Sequence, residues 1–332
     1  MIKPNIQSSN KQLLVVENCS SNTTLSLHNT LSLTTNSFNY LLPTKTYSQF
    51  KFLKNFIHLD YLRLSSNNLT KKSFDSLVDF VFDKQETKTI NKPWHPDPKM
   101  PQSKKYQNII TSSSGITLGY TKKAKNRGKN IRHVYDIMLD LSGAYFAKLS
   151  LLKQQKVISY LNINWTFKCH RIDVAIDDYS HKLIPVIEMK KAFKLGYNFG
   201  FSVIDDSYFK ITDNQFEGTL AIGSRRSSLF IRIYTKGKDF VRYEAELKRQ
   251  KAQGLFNQIA NLEVDKTLAN DLIVSFAIVL AEAALSSIDF RNKDNISSQK
   301  NMTKKRTDRL FFWQDFIDKV LVTIDNQLLD NN

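Results

Sequence analysis

The clearest pattern in the chain is a series of short segments in which apolar and polar residues alternate. A period of two predicts strands with one buried and one polar face, and apolar residues three and four positions apart predict helices. Strands are predicted over residues 109–120 (a hairpin turning at Ser114 and Gly115), 131–141, 166–177, 218–224, 229–236 and 240–247. Helices are predicted over 143–161, 184–195, 248–261, 267–285 and 310–329. Hairpin-connected strands with flanking helices favour an α+β fold with a mainly antiparallel sheet.

The ends of the chain differ from this middle part. Residues 1–45 are rich in Asn, Ser and Thr, with Glu17 as the single acid, which is typical of a disordered or loosely ordered leader. Residues 47–83 have helical spacing, with Phe52, Phe56 and Leu59 on one face and Phe74, Leu77 and Phe80 on a second helix. Four prolines between 84 and 105 predict a linker. We therefore divide the chain into a leader (1–45), a helical N-terminal region with a Pro-rich linker (46–105), an α+β domain (106–262) and a C-terminal helical region (263–332).

Composition favours a polyanionic partner. The chain carries 48 Lys and Arg residues against 31 Asp and Glu, a formal net charge of +17. Such an excess suits nucleic acid, because each phosphate contact releases counterions. The alternative explanation is an AT-rich genome, whose soluble proteins are often rich in lysine. Two cysteines allow no disulfide framework, which fits a reducing compartment. No apolar run approaches the ~20 residues of a membrane span, so we expect a cytoplasmic protein without a membrane partner.

Three predicted strands carry the same unusual polar face. Apolar residues alternate with charged ones in 171–177, 230–236 and 241–248, so the charged side chains of each segment share one side. If these strands are neighbours, the combined surface holds Asp173, Asp177, Arg232, Tyr234, Lys236, Arg242, Glu244 and Glu246. The alternative is a solvent-facing sheet with ordinary cross-strand ion pairs.

Such a surface suits phosphodiester chemistry. Carboxylates two positions apart on a strand can converge on a divalent cation, which prefers oxygen ligands and neutralises phosphate charge. Arginines contact phosphates in bidentate fashion. Tyr234 is a candidate nucleophile, and the ammonium of Lys236, two residues away on the same side, would favour its phenolate.

Four segments of this region also resemble a known family. They are Cys169-His-Arg-Ile-Asp-Val-Ala-Ile-Asp-Asp178, Gly218-Thr-Leu-Ala-Ile-Gly-Ser-Arg-Arg-Ser227, Ile231-Arg-Ile-Tyr-Thr-Lys236 and Arg242-Tyr-Glu-Ala-Glu-Leu-Lys248. Their order and spacing over residues 106–262 resemble the plasmid replication initiation factors, the trans-acting Rep nickases of rolling-circle replication. That family also includes relaxases of integrative conjugative elements.

The resemblance implies a Rep nickase-like fold and a metal-dependent nick of one DNA strand at a plasmid origin. Tyr234 would form a 5′-phosphotyrosine and free a 3′-hydroxyl primer. Asp173 and Glu244, with Asp177 and Glu246 in addition, would hold Mg²⁺ or Mn²⁺, and Arg225 would bind phosphate. The implied partners are origin DNA, single-stranded or as an extruded hairpin, with a homodimer and a host helicase left open. The compartment would be the cytoplasm, or an organelle interior if the plasmid is organellar.

The sequence departs from the family after the tyrosine. The family usually has Tyr-Asp-Lys followed by a glutamate, whereas this chain reads Tyr234-Thr-Lys-Gly-Lys-Asp239. This loss of acids leaves a catalytically degenerate DNA-binding protein as an alternative, and a conjugative relaxase is a second one. Nickases that hold their metal with a His-hydrophobic-His pair are disfavoured, because no such pair occurs among the six histidines.

DNA contacts are predicted outside the three strands as well. Residues 122–132 contain six cations and no acid, which predicts a phosphate-contacting loop; a solvated loop is the alternative. The predicted DNA-binding residues are Lys122, Lys123, Lys125, Arg127, Lys129, Arg225, Arg226, Arg232 and Arg242.

Overall fold

Alternating apolar residues build one large sheet, which dominates the computed structural model. The structure describes residues 51–82, 87–95, 105–127, 130–212, 215–262, 269–292 and 308–329. Its strands are β1 (Ile57–Thr70), β2 (Thr87–Ile90), β3 (Asn108–Ser112), β4 (Ile116–Arg127), β5 (Asn130–Ser142), β6 (Lys168–Asp178), β7 (Asn198–Phe199), β8 (Ile204–Thr212), β9 (Gln215–Ile222), β10 (Leu229–Lys236), β11 (Phe240–Lys248) and β12 (Asp289–Phe290). Its helices are α1 (Lys51–Phe56), α2 (Lys71–Phe82), α3 (Gly143–Phe146), α4 (Leu151–Asn164), α5 (Val186–Lys194), α6 (Gln250–Ala260), α7 (Ala269–Leu285) and α8 (Phe311–Leu329).

Within the described residues, ten strands form one sheet in the order β2-β3-β4-β5-β1-β6-β11-β10-β9-β8. Every pairing in it is antiparallel. The predicted α+β class with a mainly antiparallel sheet is therefore confirmed. The predicted hairpin in residues 109–120 is also present, and Gly115 takes the positive φ of 92° that its turn requires.

The two faces of the central strands have opposite characters. Ile172, Val174 and Ile176 of β6 are fully buried, and their face of the sheet packs against α6 and α7. Tyr243 of β11 belongs to the same apolar face, where its hydroxyl donates a hydrogen bond to the carbonyl of Ala284 in α7, at 3.1 Å. The opposite face therefore carries the charged positions of the same strands, as strand alternation requires.

The C-terminal helix α8 is part of this core. Trp313 is fully buried and lies with its ring centroid 5.3 Å from those of Phe290 and Phe316. Phe316 in turn lies 6.1 Å from the ring of Tyr243 on β11. The predicted C-terminal helices thus pack onto the sheet through an aromatic cluster.

The main correction to the predicted elements concerns β1. Helical spacing over residues 47–83 is right for α1 and α2 but wrong for residues 57–70, which form a central strand between β5 and β6. Two features disguised the strand. Helix α1 runs directly into it, so that Phe52, Phe56 and Leu59 keep helical spacing, and a β-bulge between Leu59 and Tyr61 breaks the alternation.

Two further predictions change in detail. The helix predicted over 143–161 is two helices, α3 and α4, and Ser150 caps the second one by accepting a hydrogen bond from the main-chain nitrogen of Lys153. The basic segment predicted as a loop is mostly strand, because β4 continues to Arg127 and β5 begins at Asn130. The leader, most of the Pro-rich linker and Lys129 lie outside the described residues.

The predicted boundaries at residues 105 and 262 stay predictions, although β1 and α8 lie beyond them and contribute to the sheet and its core.

Among the helices that the structure describes, none combines the length and apolar character that crossing a bilayer requires.

The aromatic cluster predicts how much α8 contributes to stability. Trp313→Ala should lower the free energy of unfolding by about 3–5 kcal/mol, because it leaves a large cavity between α8 and the sheet. Phe311→Ala is the matched control, since Phe311 is 85% exposed on the same helix and should change stability by less than about 0.5 kcal/mol. Urea unfolding measures both, and equal stabilities for the two variants would show that α8 does not belong to the core.

Candidate functional site

Strands β6, β11 and β10 are neighbours in the sheet, so their polar faces combine as the sequence analysis supposed. On the β10 side, Arg232 lies opposite Glu244, and Tyr234 lies opposite Arg242. We call the combined charged surface of these three strands the polar face.

Tyr234 lies half-buried in this polar face and is hydrogen-bonded to an acid. Its hydroxyl donates to Oε2 of Glu244 at 3.0 Å, while the other oxygen of Glu244 accepts from the Arg232 guanidinium. That guanidinium also lies 5.7 Å from the centroid of the Tyr234 ring. Glu244 is only 1% exposed, so its carboxylate is held in place by these two partners. A phenol, a carboxylate and a guanidinium therefore form one compact group.

Burial raises the pKa of Tyr234 well above its ordinary value, and the negative charge of Glu244 raises it further against the opposing effect of Arg242. The phenol is thus neutral at physiological pH, and Glu244 is the acceptor that its proton faces. Lys236 was predicted to favour the phenolate. It is exposed, and its ammonium lies 5.8 Å from the centroid of the Phe240 ring. Its activating role stays a prediction.

The β6 side of the polar face is a network of ion pairs. Asp173 lies opposite Glu246, and both carboxylates contact Arg171, which donates to Oδ1 of Asp173 at 2.7 Å and lies 2.8 Å from Oε2 of Glu246. Lys248 contacts the other oxygen of Glu246. Burial raises the pKa of Asp173 to about 7, although Arg171 acts in the opposite direction.

The fourth predicted acid, Asp177, is held by Arg242. The guanidinium donates to both carboxylate oxygens at 2.6 and 2.7 Å, and its remaining contacts are Asp60 at 2.7 Å and His58 at 3.3 Å. Arg242 is 4% exposed. The predicted DNA contact of Arg242 stays a prediction, since the guanidinium lies below the surface with its donors turned to Asp177 and Asp60.

The four acids do not fit a metal in this arrangement. Their oxygens are the right donors for Mg²⁺ or Mn²⁺. However, each carboxylate is paired with a guanidinium or an ammonium, and nowhere in the described ranges do three His, Cys, Asp or Glu side chains converge as a metal site would require. The divalent metal stays a prediction, and a metal held by Asp173, Glu244, Asp177 or Glu246 would have to displace these cations.

Strand β1 contributes residues that the sequence analysis missed. Asp60 lies in the bulge of β1 and reaches Arg242. Tyr61 lies opposite Asp173, with the Arg171 guanidinium 4.6 Å from its ring centroid. His58 is largely buried, which lowers its pKa, and its Nδ1 has no hydrogen-bond partner among the residues that the structure describes. The helical reading of this segment concealed them, and no local pattern marks them.

The remaining predicted DNA-binding residues are spread over the surface. Arg225 and Arg226 are exposed in the turn between β9 and β10, and Arg232 is half-buried beside Tyr234. In the β4–β5 hairpin Lys122 and Lys125 are exposed, and Lys123 forms an ion pair with Asp136. Arg127 lies at the end of β4. The structure thus brings Arg232, but not the hairpin cations, into contact with the tyrosine group.

Comparison with known proteins identifies the fold. No protein-family model matches the chain, and no curated protein matches it. The structure is similar to that of the rolling circle replication initiator protein from Geobacillus stearothermophilus. The TM-score is 0.51 at 15% sequence identity, over 80% of this chain and 97% of that chain. The resemblance found in the motifs is therefore confirmed at the level of the fold: this chain has the fold of a rolling circle replication initiator.

The raised pKa of Asp173 predicts a pH-dependent stability. The pKa of an aspartate in the unfolded chain is ~3.9, whereas the pKa of Asp173 in the folded protein is about 7. The folded state therefore binds this proton more tightly than the unfolded state. This stabilisation is present at low pH and is lost as pH rises through about 7. Asp173→Asn has no carboxyl group to titrate and cannot lose this stabilisation. Between pH 5 and 7.5 the free energy of unfolding of the wild type should therefore fall by about 1 kcal/mol or more beyond the fall of the variant. Urea unfolding at the two pH values measures the difference, and parallel pH dependences would contradict the prediction.

Proposed function

We propose that this protein initiates DNA replication by nicking one strand at an origin, with Tyr234 as the nucleophile. The observation that carries the proposal is the hydrogen bond from the Tyr234 phenol to Glu244 beside the Arg232 guanidinium, within the fold of a rolling circle replication initiator. The proposed products are a 5′-phosphotyrosine and a free 3′-hydroxyl primer.

The proposed proton and charge movements involve side chains of this protein and solvent. Glu244 takes the phenol proton as Oη forms its bond to phosphorus, which offsets the raised pKa of Tyr234. The bond from phosphorus to the 3′ oxygen breaks, and that oxygen takes a proton from solvent. Arg232 is placed to stabilise the charge that develops on the phosphoryl oxygens.

Several finer features belong to the same proposal. The substrate would be a plasmid origin, presented as single strand or extruded hairpin, in the cytoplasm or an organelle interior. Mg²⁺ or Mn²⁺ would be required, with a rearrangement of the ion pairs, and no step above is assigned to the metal. A homodimer and a host helicase are further proposed partners.

A catalytically degenerate DNA-binding protein is the second candidate. Two observations favour it: every acid of the polar face is already paired with a cation, and the pKa of Tyr234 is raised. It predicts salt-sensitive binding to DNA without any covalent adduct, so the experiment below separates the two candidates.

Tyr234→Phe tests the nucleophile. The wild type should nick supercoiled DNA carrying the origin in Mg²⁺ or Mn²⁺, leave a protein–DNA adduct that survives denaturation, and stop in EDTA. The variant should lose adduct formation by more than about a thousandfold, because the attacking oxygen is gone. Tyr208→Phe is the matched control, since Tyr208 is 75% exposed on β8, and it should nick normally. An adduct that persists in Tyr234→Phe would overturn the assignment, and a wild type without adduct would favour the degenerate candidate.

Glu244→Gln tests the proton acceptor. The amide keeps the size of the side chain and can still contact Tyr234 and Arg232, but it cannot take a proton. Adduct formation should slow by about 10²–10⁴-fold at neutral pH, while DNA binding stays within a factor of about two to three. The rate should also recover partly as pH rises, because hydroxide then removes the phenol proton. Nicking at the wild-type rate would show that Glu244 is not the base.

A further inference from the structure

A groove lies at the end of the sheet where β6 begins and β11 ends. Its volume is about 750 Å³, and we call it the basic groove. Its lining includes Lys168, His170, Ser228, Arg249, Gln250 and Lys251. Its walls are tied together by main-chain hydrogen bonds, from Arg249 N to His170 O at 3.1 Å and from Lys248 N to Ser228 O at 2.8 Å. The groove is thus built on strand and helix ends held by the sheet.

A second cavity of about 310 Å³ lies beside the basic groove. The two share Ser228 and Lys251 as lining residues, and the second one reaches Ser224 and Ser227 in the turn before β10. Arg225 and Arg226 are exposed in that same turn. Together the two adjoining cavities mark a path from the start of α6 to the turn between β9 and β10.

The cations along this path differ from those of the polar face. Lys168, Arg249 and Lys251 are exposed, and none of them forms an ion pair with any residue that the structure describes. By contrast, Arg171 and Arg242 are each committed to buried acids. Lys168, Arg249 and Lys251 lie at the ends of strands and a helix that the sheet holds in place, so these cations are available to bind an external anion.

We propose that the basic groove binds the sugar-phosphate backbone of the single DNA strand that leads to Tyr234. This inference rests on the proposed nicking function. Ser228 lies immediately before β10, six residues from Tyr234. At a rise of ~3.3 Å per strand residue, the groove is about 20 Å from the phenol. At ~3.4 Å per stacked nucleotide, that distance corresponds to about six nucleotides.

The lining chemistry favours nucleic acid over an acidic protein segment. Lysine and arginine side chains interspersed with serine hydroxyls and glutamine amides are the groups that contact phosphate and sugar oxygens. Ser224 and Ser228 supply hydroxyls, and Gln250 supplies an amide. These contacts position a backbone without reading bases, so the groove sets register and affinity and leaves sequence choice to other residues.

The test is the triple variant Lys168→Ala/Arg249→Ala/Lys251→Ala, made in full-length Tyr234→Phe protein so that no nicking intervenes. The matched control removes three exposed lysines on α2, β2 and β8: Lys72→Ala/Lys88→Ala/Lys210→Ala. Fluorescence anisotropy measures binding to a single-stranded oligonucleotide, long enough to reach from Tyr234 into the groove, over a range of salt concentrations.

We expect the groove variant to bind at least about tenfold more weakly, with a salt slope less steep by about two, since three lost contacts each contribute ~0.7. The control should keep the affinity and slope of its parent. Unchanged binding by the groove variant, or an equal loss in the control, would overturn the proposal. Loss of binding to poly-glutamate with unchanged binding to DNA would assign the groove to an acidic protein and overturn it as well.

This outcome is separable from that of the proposed function. A wild type that forms no adduct would end the nicking proposal, whereas the anisotropy experiment would still report on the groove. Conversely, a groove variant that binds DNA normally would end this inference even if Tyr234 nicks.

Discussion

Four carboxylates buried on central strands each lie beside a cation, and this pairing organises the polar face. Asp173, Asp177, Glu244 and Glu246 are each at most 3% exposed. An unpaired charge at such depth costs several kcal/mol, so each acid depends on a neighbouring guanidinium or ammonium. Strand register supplies these partners: because adjacent antiparallel strands alternate in step, acids and arginines meet across β6, β11 and β10. The chemistry proposed for this face therefore depends on an arrangement that the sheet itself needs.

The same pairing sets the state of the candidate nucleophile. One oxygen of Glu244 accepts a hydrogen bond from Arg232 and the other accepts one from the Tyr234 phenol, so the phenol is held neutral and oriented. Because the pKa of the Tyr234 phenol is raised, nucleophilic attack by this oxygen would require a proton acceptor, and Glu244 already accepts its hydrogen bond. Side-chain cations occupy the positions next to the acids. A divalent metal would therefore have to compete with these cations for Asp173 or Glu244. The proposed activity and the ion-pair network therefore depend on the same carboxylates.

Cations thus fall into two groups with different consequences. Arg171 and Arg242 compensate buried acids, and their charge is largely neutralised within the fold. Lys168 and Arg249 lie exposed at the end of the sheet without acidic partners among the described residues, so their charge is directed outward. Net charge alone does not distinguish the two groups, because it counts a neutralised guanidinium and a free one equally. The position of each cation in the sheet decides which of them can contact a phosphate backbone.

Periodicity and local motifs were enough to predict the strands with regular alternation, the α+β class and the candidate residues of β10 and β11, because these signals lie within short stretches of the chain. They missed β1, whose bulge breaks the period of two, and with it Asp60 and His58, which reach the site only through strand pairing. They also could not decide that Arg242 is buried. Burial, ion-pair partners and the grouping of Tyr234 with Glu244 are contacts between segments far apart in sequence or across a hairpin. Only the register of the folded sheet selects them, since the same alternating pattern is compatible with many pairings.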